Sequence, residues 1–171
     1  MKLEELIILL CNFGYTKEES KEILNTYPLN TCKPETLKRK IEEINMYMEK
    51  LGYSKEEVIK MTKSLPAIYG YSIDNIKQKI EDMEKLGYSK EEVIKMTKSL
   101  SQIYGYSIDN IKQKIEVMEK LGYSREEVIK MTKSLPAIYG LSIDTLKQKI
   151  EDMEKLGYSK EEVIKMTKSQ P

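Results

Sequence analysis

The phrase Leu-Gly-Tyr-Ser starts at Leu51, Leu86, Leu121 and Leu156, 35 residues apart each time. A fixed period of this size marks a repeat array: one such unit cannot bury its own apolar face and stacks on a copy of itself. The copies are close. Residues 51–85 and 86–120 differ at three positions, where Pro66, Ala67 and Asp82 become Ser101, Gln102 and Val117. Residues 51–85 and 121–155 differ at four, Lys55/Arg125, Tyr71/Leu141, Asn75/Thr145 and Ile76/Leu146. A divergent copy precedes them. Gly14-Tyr15-Thr16-Lys17-Glu18-Glu19 matches the stretch from Gly52 to Glu57, and Pro28 falls where Pro66 does. Upstream, Leu3, Ile7, Leu10 and Phe13 match Ile76, Ile80, Met83 and Leu86.

Each repeat reads as two helices. Ser54 is a good N-cap and Glu57, three residues on, completes a capping box. Val58, Met61, Thr62 and Leu65 follow the spacing of one buried helical face. Pro66 stops this helix, because the residue before a proline is driven out of the α region. Ala67-Ile68-Tyr69 is too short for another α-helix and suits a 3₁₀ turn. Ser72 caps the second helix, whose inner stripe is Ile73, Ile76, Ile80 and Met83, and Gly87 closes it from the C′ position.

The expected fold is therefore all-α, a solenoid of about ten helices, with pairs near 54–64 and 72–86 recurring every 35 residues. Its parts are a capping half-repeat over 1–13, a divergent repeat over 14–51 with an extra turn in its second helix, three near-identical repeats over 52–155, and a capping half-repeat over 156–171. In that last part Ser169-Gln170-Pro171 stands where earlier copies read Ser-Leu-Pro, so a polar residue replaces a leucine at the edge.

Several chemistries lack their residues. The chain has no histidine, which removes imidazole bases and every Ser-His or Cys-His pair. Its eight glycines do not form a phosphate loop. The carboxylates of Glu56, Glu57, Asp74 and their copies sit in first helical turns, where negative charge complements the helix dipole. Cys11 and Cys32 are too few for a zinc site and are expected to be buried, reduced thiols. The short apolar run from Leu6 to Cys11 follows two acids and suits neither a membrane helix nor a signal peptide. The expectation is a soluble, intracellular, non-catalytic protein with no cofactor, no metal, no membrane partner and no small-molecule substrate. The 12 tyrosines are expected to be structural, Tyr53 packing on Val58 and Tyr71 on Ile76 as hydrophobic staples.

Charge is balanced overall, at +1, but not evenly placed. On the first helix of each repeat two lysines fall on the outward face. Stacking turns them into columns of Lys60, Lys95, Lys130 and Lys165 beside Lys63, Lys98, Lys133 and Lys168, while the second helices lean acidic. The divergent repeat carries Glu22 and Asn25 there instead.

Taken together, Leu51-Gly52-Tyr53-Ser54-Lys55-Glu56-Glu57-Val58, then Leu65-Pro66-Ala67-Ile68, then the isoleucine-spaced helix to Leu86-Gly87, resemble the mitochondrial transcription termination factor (mTERF) repeat over residues 14–171. The resemblance implies a superhelical array that holds double-stranded nucleic acid, mostly by its phosphates. On that reading the lysine columns are the nucleic-acid-binding residues. The rival reading is a protein-binding scaffold or inhibitor, a use that extended repeat surfaces and a balanced charge also suit. For that reading Val117 is the candidate partner contact, an apolar residue expected on the outward side of its helix.

Overall fold

The computed structural model describes residues 2–26 and 28–169, and side chains as far as Thr167. The described residues contain ten α-helices and four 3₁₀ turns and no strand. They form two compact units, residues 1–80 and 81–171.

The first unit holds α1 (Leu3–Phe13), α2 (Lys17–Leu24), a 3₁₀ turn at Leu29–Thr31, α3 (Pro34–Leu51), α4 (Lys55–Ser64), a 3₁₀ turn at Pro66–Gly70 and the start of α5 (Ile73–Leu86). The second holds the end of α5, α6 (Lys90–Ser99), a turn at Ser101–Gly105, α7 (Ile108–Lys120), α8 (Arg125–Ser134), a turn at Pro136–Gly140, α9 (Ile143–Lys155) and α10 (Lys160–Ser169). The helix pairs are those read from the sequence. The extra turn of the divergent repeat is present as well, since α3 has 18 residues against 14 in α5.

Local chemistry sets the helix boundaries. The side chains of Thr16, Ser89 and Ser124 each accept the backbone N–H three residues on, and Glu19, Glu92 and Glu127 reach back to close capping boxes. At the other end Gly87 takes φ 120°, its N–H donates to Glu84, and Tyr88 N–H donates to Met83. A left-handed residue here lets the last carbonyls of α5 find donors, and only glycine adopts it without strain.

Packing follows the repeat. In the second unit α8 packs on α10, α7 on α9, and α7 also on α8. First helices thus lie against first helices and second against second. The core of each unit consists of the predicted stripes, with Val58, Met61 and Ile76 in the first and Val93, Met96, Ile111, Ile115, Val128 and Met131 in the second.

Two expectations about burial are corrected. Val117 is not an exposed apolar residue but a packed one, 8% exposed. The outward placement assumed one packed face per helix. Because α7 meets both α8 and α9, it buries a wider arc that takes in Ile111, Lys114, Ile115, Val117 and Met118. The partner contact assigned to Val117 is thereby withdrawn. Cys11 is exposed rather than buried, and Cys32 is half-buried; both are free thiols. Leu6 and Leu10 face the core of α1, and Cys11 lies about 100° further round the helix, towards solvent. The polar edge expected at Gln170 lies outside the described residues.

Candidate nucleic-acid interface

α4, α6 and α10 share the sequence Lys-Glu-Glu-Val-Ile-Lys-Met-Thr-Lys-Ser, and α8 differs only in opening with Arg125. One face carries valine, methionine and threonine inward, so the sixth and ninth residues face solvent. Lys60, Lys63, Lys95, Lys98, Lys130, Lys133 and Lys165 are all exposed. The side chain of Lys168 lies outside the described residues.

The two lysine sets differ in what they meet. Lys63 donates to Glu19 at 2.7 Å, and Lys133 pairs with Glu92. In each case the acceptor is the capping-box glutamate of a preceding first helix. These carboxylates serve two donors at once, a lysine ammonium and a backbone N–H. The lysine is the main reason that the Glu19 and Glu92 carboxyls are held below the ordinary glutamate value. The other set, Lys60, Lys95, Lys130 and Lys165, takes part in no ion pair among the described residues. Within the second unit, Lys95, Lys130 and Lys165 occupy the same position on α6, α8 and α10. The Lys133–Glu92 pair ties α8 to α6, and α10 packs on α8.

A second group of lysines turns inward, which the sequence did not suggest. Lys40 on α3 donates to the Gly70 carbonyl at 3.1 Å, and Lys114 on α7 donates to the Tyr139 carbonyl. Both carbonyls lie at the end of a 3₁₀ turn of the following repeat. Lys114 is only 5% exposed, lies 5.4 Å from the centre of the Tyr106 ring, and has its ammonium pKa lowered by burial. These lysines hold turns in place and are unavailable to a ligand.

Four of the tyrosines, Tyr15, Tyr69, Tyr88 and Tyr139, are structural through buried hydrogen bonds, whereas Tyr158 is 40% exposed. In the first unit the Tyr15 hydroxyl meets Thr62 and, at 2.7 Å, the Tyr69 hydroxyl, which donates to Asn45 Oδ1 at 2.8 Å. In the second unit Tyr88 meets Thr132 and Tyr139. Thr132 donates to the Val128 carbonyl at 2.8 Å, so its oxygen is left to accept from a tyrosine. Burial pushes the pKa of all these phenols up. The available signal was Thr62 itself, a hydroxyl at the centre of an otherwise apolar stripe. A buried hydroxyl needs a partner.

These phenols are sealed inside the fold, whereas the described lysines of the first helices are exposed. Comparison with known protein families matches the mTERF model over residues 1–166 of the chain. The chain belongs to the mTERF family. This family consists of helical-repeat proteins that in general bind nucleic acid. Comparison with curated proteins gives no match. Among the described residues no helix of this mTERF-family protein is long and apolar enough to cross a membrane, and no group of three or more metal-ligating side chains comes together.

Proposed function

We propose that this mTERF-family chain is a non-catalytic module that binds double-stranded nucleic acid by its phosphates. Lys60, Lys95, Lys130 and Lys165 make the principal contacts. Lys63, Lys98, Lys133 and Lys168 flank them. The observation that carries the reading is the contrast between the lysine sets. Four exposed lysines recur at one helical position and make no ion pair among the described residues, whereas Lys63 and Lys133 are engaged by glutamates of the fold. An ammonium without an ion pair gives up no intramolecular partner when a phosphate arrives. With only Arg39 and Arg125 as arginines, the chain lacks the commonest reader of guanine, so binding is weakly sequence-selective and strongly salt-dependent.

The test is fluorescence anisotropy with duplex DNA, duplex RNA and single strands across a salt series. Lys60, Lys95, Lys130 and Lys165 are changed together to glutamine. Duplex affinity is expected to collapse, and the slope of log affinity against log salt to fall by about 0.9 for each phosphate no longer neutralised. Changing Lys77, Lys112 and Lys147, which lie on the acid-leaning second helices, is expected to have little effect. If the unaltered chain has no duplex affinity at about 50 mM salt, where screening is weak, the reading fails and a protein partner takes its place. Equal losses from both lysine sets would keep the nucleic acid and move the surface.

A further inference from the structure

Two capping-box glutamates use their two oxygens for different partners. Glu19 Oε2 accepts the Thr16 backbone N–H at 2.8 Å, and its Oε1 accepts from Lys63 at 2.7 Å. Glu92 Oε1 accepts the Ser89 backbone N–H at 2.8 Å, and its Oε2 pairs with Lys133. The arrangement is the same in both units. In each, the lysine comes from the first helix of the following repeat.

Only one of these contacts needs a charge. A glutamine at the third helical position closes a capping box as a glutamate does. The helix dipole is already served by Glu18 and Glu91, exposed in the same first turns. Nor does the fold lean on the ion pairs, because pairs whose partners are this exposed contribute little to stability. What the negative charge of Glu19 and Glu92 alters is the surface. Lys63 and Lys133 lie three residues beyond Lys60 and Lys130, about one helical turn, and are exposed as those are. The first two are each matched by a carboxylate, and the other two make no ion pair among the described residues.

We propose that Glu19 and Glu92 set the affinity of the phosphate-binding surface by masking Lys63 and Lys133. The inference rests on the nucleic-acid reading above. A phosphate that approaches either lysine also meets the paired carboxylate, well inside the screening length, so the contact brings no net attraction between charges. At these two repeats the surface acts with one lysine where it carries two. Removing the glutamate charge restores the second, and duplex binding tightens. Pairs that served instead to position the helices would give the opposite sign, since their loss would weaken binding.

The test compares variants of the full chain by anisotropy, with labelled duplex DNA and duplex RNA across a salt series. Glu19→Gln combined with Glu92→Gln should bind about tenfold tighter per unmasked lysine at about 50 mM salt, and the slope of log affinity against log salt should steepen by about 1.8 in all. Glu18→Gln combined with Glu91→Gln removes the same charge from the neighbouring residues and should leave the slope unchanged. In the parent, Lys63→Gln combined with Lys133→Gln should leave duplex affinity nearly unchanged. In the Glu19→Gln, Glu92→Gln background the same two lysine changes should erase the gain. Circular dichroism checks that each variant keeps its helices. Equal gains from the two glutamate pairs, no gain, or a weaker duplex complex overturns the mask and leaves the nucleic-acid reading standing. So does a large loss from the lysine changes in the parent. A parent and variants that all ignore duplex overturn both.

Discussion

Ser101 stands where the two flanking near-identical repeats carry proline, and Ser101→Pro should stabilise the protein. Pro66 and Pro136 open their 3₁₀ turns, and Ser101 opens the equivalent one. The residue before each adopts one backbone conformation: φ −133° and ψ 70° at Leu65, φ −138° and ψ 82° at Leu100, φ −133° and ψ 75° at Leu135. The chain is thus already shaped for a proline, and no loop or turn hydrogen bond comes from the Ser101 N–H. Two gains add. Fixing φ removes unfolded-state entropy worth about 0.4–1 kcal/mol. The Ser101 hydroxyl is buried without a partner, and relieving such a group is worth about 1 kcal/mol or more. The sum is about 1.5–2 kcal/mol. For a chain of 171 residues this corresponds to a rise in melting temperature of about 3–8 °C. Differential scanning calorimetry and urea unfolding, with m checked for constancy, measure it. Ser101→Ala removes only the hydroxyl and should recover part of the gain. A proline variant that melts no higher than the parent would refute the reasoning, since it would mean that the turn at Ser101–Gly105 needs a conformation its siblings do not.

Thr132→Val should cost about 1–3 kcal/mol in urea unfolding, because it leaves the Tyr88 hydroxyl buried and short of an acceptor while keeping the side chain's shape. The same change at an exposed threonine such as Thr145 should cost far less; equal costs would remove the network from consideration. Acid should weaken the fold through Glu19, Glu92 and Glu127, whose carboxyls are held below the ordinary value of 4.5. A lowered folded-state pKa gives stability that is present above the unfolded value and lost as pH falls through the folded one. The urea midpoint should therefore drop as pH falls below about 4.3, and the triple glutamine variant should show a flatter acid limb; an unchanged limb counts against these pairs.

The identity of the elements was readable because the repeat writes each rule several times. Ser54, Pro66, Ser72 and Gly87 act by local backbone chemistry, which depends on few neighbours, and the helices begin and end where those residues place them. What the sequence could not show is the environment, which repeats do not share even when their residues do. Lys114 is buried on a carbonyl, while Lys149, the same residue one repeat on, is exposed. Val117 is buried, while Asp152 at the same position is exposed on α9. Helical-wheel reasoning places a residue relative to its own helix and is silent about how many helices lie alongside. Lysines make the case most clearly: all look like solvated charges in the sequence, yet three roles emerge. Lys40 and Lys114 hold turns, Lys63 and Lys133 bridge helices, and Lys60, Lys95, Lys130 and Lys165 make no ion pair among the described residues. Duplication keeps all three sets, but only the last has nothing in the fold to explain its retention, and so it is the set from which binding is to be sought.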